Sequence, residues 1–523
     1  MQDLGLDLAH WFDLDHVPYT VRGSRLFVRR ADDGLTVYRA AYERALADSI
    51  AVSGLRVVDG EGGPADVELV DPLRITFRGG AHLYVTADDE VVVELPPGFR
   101  VEGAVNRAET RLRIARPPED GPSQVAGELA RWMAKCPTVD ERWRDITRFC
   151  WWVLGANTLM LDAPDGLRRA VVPSKIGYVG LWQWDAYFMA IGLRHGDIGL
   201  AAEQLRIALA YPGDDGQLPD VVHEHGILAS SDDLPPGDLE NLRRMGSPSL
   251  AHARVPLTKP PLTALAVALL AEQAGPEVID EFLPTMLAAQ DWWYSTSAPA
   301  GHPAYLHPYS SGLDDSPVFD HDAILVSPDL TSYLVLADRL LAGWLEERGE
   351  VGAAERCRAR ADRSVAALAG TWDEGRVFFP SIGEHGDPVT SETIVSLMPV
   401  LVDGLPERLL DGLLAAINDP QRFATPHPLP TVAVRDDDFS PTRMWRGPVW
   451  VNTNWLVATG LRARGRTAEA ERIERATVEL VAEHGPNEYF RPDTGAKPPR
   501  ATTVFGWSAA LTVDLAVRLS RRS

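Results

Sequence analysis

The sequence predicts a mainly α-helical protein preceded by a β-sandwich-like domain. Two patterns carry that expectation. Over residues 1–125 short runs alternate apolar with polar side chains and are broken by Gly and Asp clusters, as in strands that bury one face. Over residues 126–523 apolar residues recur three and four apart, the period of helices that bury a stripe. A chain of 523 residues accommodates one large domain and a smaller one.

In chain order, Val17–Arg22, Ser24–Arg30, Leu73–Phe77 and Ala81–Val85 read as strands. Ala31–Gly34 and Asp59–Gly63 read as turns between them, and Arg116–Pro122, rich in Pro, as a linker. The first helix is expected over Thr138–Ala156, because Thr138-Val139-Asp140-Glu141 has the form of a capping box. Further helical segments fall at about 182–194, 198–211, 260–274, 278–297, 329–348, 352–372, 391–401, 405–417, 449–464, 466–483 and 504–520. An even number of helices suggests pairs, and six hairpins would make a barrel. Periodicity does not establish closure. Two long connections, 212–258 and 418–448, adjoin Trp-bearing segments. Long loops in compact domains are commonly functional, so both are expected to wall a substrate pocket.

Composition excludes several classes of function. The formal net charge is −23, which disfavours nucleic acid and anionic membranes as partners. No run of 18 uncharged apolar residues occurs, so no membrane span is expected. The N-terminus, Met1-Gln2-Asp3-Leu4-Gly5-Leu6-Asp7 onward, has neither a basic nor a continuous apolar region, so no secretory signal is expected. Cys136, Cys150 and Cys357 form no CxxC pair and suit a reducing cytoplasm. His223-Glu224-His225 has strand spacing within an expected loop and reads first as a solvated loop, next as a substrate contact and least as a metal site. No cofactor motif is apparent. Oligomeric state is not legible.

Four segments carry chemistry. Leu181-Trp182-Gln183-Trp184-Asp185 is expected to open a helix, with Trp182 facing Asp185. Met444-Trp445-Arg446-Gly447-Pro448-Val449-Trp450-Val451-Asn452 reads as a loop entering a helix, with Pro448 in the first turn. Asp314 lies in the loop Ser310-Ser311-Gly312-Leu313-Asp314-Asp315-Ser316-Pro317, and Glu488 in Asn487-Glu488-Tyr489-Phe490. A lone loop Asp is ordinarily a turn or cap residue, and a lone Glu a solvated one. Tryptophans in a core and an arginine in a structural ion pair are equally ordinary. Two acids with aromatic platforms are, however, the parts that cleave a glycosidic bond.

The order Trp-Asp, Ser-Gly-x-Asp, Trp-Arg-Gly-Pro-x-Trp, Glu-Tyr-aromatic resembles glycoside hydrolase family 63 and its bacterial relatives, which include mannosylglycerate and glucosylglycerate hydrolases; it is more distantly similar to trehalase. Thr258-Lys259-Pro260-Pro261 and Phe505-Gly506-Trp507-Ser508-Ala509-Ala510 fit the same pattern. The resemblance covers roughly residues 130–523. It implies an (α/α)6 barrel behind a β-domain and an inverting α-glycosidase acting on a small carbohydrate. Asp314 would then be the general acid and Glu488 the general base. Trp182, Trp184, Asp185, Gly312, Trp445, Arg446, Trp450, Asn452, Tyr489 and Trp507 would bind the sugar. Relatives carry Asp-Asn-Ser-Pro where this chain has Asp314-Asp315-Ser316-Pro317, which leaves a role for Asp315 beside the acid open. The two carboxylates are expected to have pKa values pushed apart. A glycerate leaving group would need a nearby cation such as Lys175, Lys259, Arg443 or Lys497. The alternatives are a disaccharide phosphorylase or polysaccharide lyase on the same architecture, or a non-catalytic carbohydrate-binding protein.

Overall fold

The computed structural model describes residues 8–107, 109–115, 121–299 and 301–521. Met1–Asp7, the stretch that bears on a secretory signal, and most of the expected linker (116–120) lie outside the described residues; Gly121 already opens a helix.

The first part is two five-stranded sheets. Their strands are β1 (Tyr19–Thr20), β2 (Leu26–Ala31), β3 (Gly34–Arg39), β4 (Ile50–Val58), β5 (Val67–Val70), β6 (Ile75–Phe77), β7 (Ala81–Val85), β8 (Glu90–Glu94), β9 (Arg100–Val105) and β10 (Arg111–Ala115). One sheet runs β1-β2-β3-β4-β9 and the other β10-β8-β7-β6-β5. Among the described strands of these sheets only β10 with β8 is parallel. Val28, Val37 and Val52 from one sheet and Ile75, Leu83 and Val91 from the other enter a common core, which is why apolar residues alternate along these strands.

The helices are α1 (Gly121–Met133), α2 (Glu141–Ala156), α3 (Gln183–Leu193), α4 (Ile198–Ala208), α5 (Pro236–Met245), α6 (Thr263–Ala274), α7 (Glu277–Ser295) and the single turn α8 (Pro308–Ser311). They continue with α9 (Pro328–Glu347), α10 (Val351–Gly370), α11 (Glu407–Asn418), α12 (Val451–Ala463), α13 (Thr467–His484) and α14 (Gly506–Ser520). Six segments form an inner ring: α3 packs on α6, α6 on α9, α9 on the 3-10 segment Ile394–Leu401, that segment on α12, α12 on α14, and α14 back on α3. The remaining long helices α2, α4, α7, α10, α11 and α13 pack outside it. The six hairpins therefore close into an (α/α)6 barrel.

The two rings differ in sequence for a physical reason. All of α3 is buried, so it is apolar nearly all round. In α10 only Ala354, Cys357, Ala361, Val365 and Leu368 are buried, a stripe at three-and-four spacing.

Several expectations are corrected. Segment 391–401 is 3-10, not α, with Pro399 inside it; proline lacks the N–H that an α-helix interior needs. Helix α1 is an addition to the expected elements. The connection 212–258 is not bare loop: it holds a hairpin of β14 (Val221–His223) and β15 (Gly226–Leu228), paired through β14 to β13 (Leu181–Trp182), and also α5. The earlier pair β11 (Thr158–Ala163) and β12 (Gly166–Val171) lies between α2 and that sheet in sequence. Trp182 belongs to β13 and precedes α3 rather than lying within it. Likewise α12 starts at Val451, so Pro448 precedes its first turn.

The β-domain is seated on the barrel. Lys175 Nζ donates to Thr20 Oγ1 at 2.9 Å and to the Val21 carbonyl at 3.0 Å. Trp11 stacks on Phe149 at 4.5 Å, and Arg25 pairs with Glu224 at 2.6 Å.

Candidate active site

The chemistry-bearing segments converge where inner-ring helices begin. Asp185 lies in the first turn of α3, Trp450 caps α12, and Trp507 is the second residue of α14. Lys259 precedes α6, and Asp314 lies in the loop after α8. They surround a cleft of about 400 Å³, which Glu488 also lines.

Asp314 is held by its own loop. Ser311 Oγ donates to the Pro308 carbonyl at 2.7 Å and accepts from the Leu313 N–H at 3.0 Å. Gly312 has φ of 71°, where glycine is favoured. A Cβ there would fall 2.2 Å from Trp184, so the loop passes against the indole only because the residue is glycine. Asp315 faces away from catalysis. Its Oδ1 accepts from the Trp445 N–H at 2.8 Å, and its Oδ2 from Arg443 Nε at 3.1 Å. With both oxygens engaged, Asp315 ties the two loops together and is not positioned as a second acid.

Arg446 does the same from the other side. It donates to the Asp315 carbonyl at 2.8 Å and to Asp320 Oδ2 at 2.9 Å. It does not line the cleft, contrary to the expectation of a sugar ligand, because its guanidinium is consumed by this clamp. The clamp positions Trp445, which stacks on Trp450 at 3.7 Å with rings 4° from parallel and lies 6.0 Å from Trp184. Trp507 meets Trp184 edge-on at 5.3 Å. The Nε1 atoms of Trp445 and Trp507 are buried without an acceptor in walls of the cleft. Each can donate to an oxygen in the cleft.

Glu488 is 2% exposed. Tyr178 OH donates to its Oε1 at 2.9 Å and the Thr502 N–H to its Oε2 at 2.8 Å. Asp314 differs: its Oδ1 is buried with no hydrogen-bond partner. Burial pushes Asp314 up to about 7, against Lys259 and helped by Asp220 and Asp315. Burial also pushes Glu488 up to about 7, against Thr502 and Tyr178 and helped by Asp314. The expected divergence of the pKa values is thus absent. Their hydrogen bonding tells them apart. Two donors favour the ionised form of Glu488, and a partnerless oxygen favours the protonated form of Asp314.

Asp185 is buried, and burial holds its carboxyl well above the usual range. Lys259 is bound to Asp220 at 2.7 Å. Burial works against its charge, but Asp220 and Asp314 hold its ammonium above the ordinary value. No other cation lines the cleft among the described residues.

Of the residues expected to bind sugar, Trp182, Trp184, Asp185, Gly312, Trp445, Trp450 and Trp507 line the cleft. Asn452 and Tyr489 do not: Asn452 is fully buried in α12, and Tyr489 packs behind Trp450 at 4.8 Å. Sequence reasoning missed Tyr178 and Asp220. The flanking glycines of Gly177-Tyr178-Val179-Gly180, just before the Trp182 segment, were the available signal for Tyr178.

The barrel and its paired carboxylates define a glycoside hydrolase of the (α/α)6 class. More narrowly, the chain belongs to the family of the mannosylglycerate hydrolase MGH1-like glycoside hydrolase domain, whose family model matches residues 178–508. The mannosylglycerate hydrolase of Thermus thermophilus is 28% identical over 65% of this chain and 95% of its own length. The glucosylglycerate hydrolase of Mycolicibacterium hassiacum is 24% identical over 69% and 97%. A crystal structure of a family 63 mannosylglycerate hydrolase from Thermus thermophilus in complex with glucose superposes with a TM-score of 0.57 at 26% identity, covering 70% of this chain and 98% of that one. About a third of this chain therefore has no counterpart in these proteins. No helix among the described residues is long and apolar enough to cross a membrane.

Proposed function

We propose that the protein is an inverting, exo-acting α-glycosidase that releases one glucose or mannose from a small α-glycoside, with Asp314 as general acid and Glu488 as general base. The observation that carries this reading is the unequal hydrogen bonding of two carboxylates in one cleft: two donors hold Glu488, while Asp314 Oδ1 has none. With both groups titrating near neutrality, the form with one proton is abundant at pH 7, and that proton belongs on Asp314.

In the reaction Asp314 gives its proton to the glycosidic oxygen as the bond to the anomeric carbon breaks. Glu488 takes a proton from a water that attacks the same carbon from the opposite face, so the configuration inverts. Afterwards Glu488 carries the proton and Asp314 is ionised; exchange with solvent resets both. Inversion needs the carboxyl groups about 6.5–9.5 Å apart to leave room for the water. The indoles of Trp184, Trp445, Trp450 and Trp507 offer apolar faces to the C–H surface of a pyranose, and Asp185 offers acceptors to its hydroxyls. The sugar is assigned as glucose or mannose because the family relatives are named for those glycosides.

The test is incubation with a panel of α-glucosides and α-mannosides, following free sugar. Release by the wild type, with Asp314→Asn and Glu488→Gln each folded yet losing most turnover, is the expected result. Wild-type rates in either variant, or release from no member of the panel, overturns the assignment.

A further inference from the structure

Inversion moves a negative charge across the cleft. Before the reaction Glu488 is ionised and Asp314 carries a proton. Afterwards Glu488 holds a proton taken from water, and Asp314 is the carboxylate. A charge fixed at one end of that path acts more strongly on the transition state than on the ground state. Among the described residues that line the cleft, Lys259 is the one cation.

Lys259 is fastened to the Asp314 side. Pro260 and Pro261 follow it; a proline fixes its own φ and keeps the residue before it extended, so the backbone that carries the lysine is stiff. The Thr258 N–H donates to Ser310 Oγ at 3.3 Å. Lys259 Nζ donates to the Tyr309 carbonyl and stands 5.8 Å from the centre of the Tyr309 ring. Tyr309 and Ser310 belong to α8, the turn that leads into the Asp314 loop. The lysine is 7% exposed, so water screens its field weakly. Asp220, 2.7 Å away, keeps it charged, with Asp314 and Asp185 acting in the same sense. His307, which caps α8, and Asp238 of α5 also feel its charge. Asp314 in turn faces Lys259, Asp220 and Asp315, with Glu488 and Tyr178 across the cleft. The Glu488 end is built differently. Its carboxylate is held by the neutral donors Tyr178 OH and Thr502 N–H. Lys497 feels Glu488 but does not line the cleft, and it donates to the carbonyls of Pro498 and Ala501 at 3.2 and 3.0 Å.

We propose that Lys259 is a positioning residue for the general acid: its ammonium stabilises the Asp314 carboxylate that forms as the proton passes to the glycosidic oxygen, and so enables Asp314 to expel a poor leaving group. This rests on the glycosidase reading above and deepens it. Lys259 gives up no proton. The proton transferred is that of Asp314, and the electron pair of the broken O–H bond stays on the carboxylate that Lys259 faces. Asp220 has the companion task of keeping the lysine ionised, because burial without a partner favours the neutral amine.

The experiment measures kcat/KM against pH for the full-length wild type, Lys259→Gln, Lys259→Arg, and Lys259→Gln combined with Asp220→Asn. The substrates are methyl and 4-nitrophenyl α-glycosides of glucose and mannose. Methanol leaves only with the proton, whereas 4-nitrophenolate departs with little help. Lys259→Gln should raise the alkaline limb, which Asp314 sets, by about one pH unit. It should lower kcat on the methyl glycoside at least about tenfold and on the 4-nitrophenyl glycoside no more than about threefold. Lys259→Arg keeps the charge and should leave the limb in place. The double substitution removes the ion pair without changing the net charge and should move the limb in the same direction as Lys259→Gln. It carries the test if circular dichroism shows the single variant unfolded. An unmoved limb in the folded neutral variant, an equal fall for both leaving groups, or a limb raised in Lys259→Arg as well overturns the inference and leaves the glycosidase reading intact. A wild type that releases sugar from neither glycoside overturns the glycosidase reading, and this inference with it.

Discussion

Replacing Asp314 by Asn keeps the shape of the side chain and removes its proton chemistry, so it separates catalysis from stability. Burial raises this carboxyl from 3.8 to about 7. One pKa unit is about 1.4 kcal/mol, so three units set an upper bound of about 4 kcal/mol on the cost of ionising it in the fold. Part of the side chain faces the open cleft, and solvent screening reduces the figure to about 2 kcal/mol. The sign follows from linkage. A carboxyl raised in the folded state contributes stability that is fully present below pH 4 and lost as pH rises through about 7. The Asn variant has nothing to lose there. It should match the wild type near pH 4 and exceed it by about 2 kcal/mol at pH 8. With about 2.1 cal/mol/K of unfolding entropy per residue, that is a gain of about 2 °C in melting temperature for a chain of 523 residues. The assay is a thermal scan of both proteins in matched buffers from pH 4 to pH 8.5, alongside turnover, which should fall about 10²–10⁴-fold. A variant no more stable than wild type at pH 8, or a gain independent of pH, would refute the claim that Asp314 is strained when ionised.

Other outcomes follow from the same contacts. Tyr178→Phe removes one donor from Glu488, so the acidic limb of the kcat/KM profile should move to higher pH by about half to one unit and, with the alkaline limb set by Asp314, the peak should fall; an unmoved limb would show that the bond does not tune the base. Gly312→Ala puts a Cβ against Trp184 at a left-handed φ and should cost about 1–3 kcal/mol of stability, read from denaturant melts. Arg446→Ala leaves the Asp315 carbonyl without its donor and frees the Trp445 loop; it should lower stability by about 1–3 kcal/mol as well as kcat, whereas a mere sugar ligand would raise KM in a fully stable protein.

Much of the outer barrel was legible because helices such as α10 bury one stripe and keep the sequence period visible. The inner ring was harder to delimit. α3 is buried on every side, and Ile394–Leu401 is apolar throughout and interrupted by Pro399, so neither has an amphipathic signature. Periodicity could not show closure of the ring, since it depends on α14 meeting α3 across the length of the chain; the family resemblance alone implied it. Asp314 and Glu488 could be picked out because their flanking residues are distinctive. Arg446 was misread for a reason intrinsic to guanidinium groups: the same side chain serves a ligand or a buried clamp, and the choice lay with Asp320, in another loop. Tyr178 joins the cleft, and Asp220 reaches it through Lys259, by contacts distant in sequence that no local pattern announces.

The account stands most directly on the anomer released. Proton NMR during the first minutes of hydrolysis of an α-glucoside or α-mannoside, before mutarotation, should show the β-sugar appearing first and equilibrating toward α. An initial burst of the α-sugar would mean retention, and would contradict a water activated by Glu488 on the face opposite Asp314.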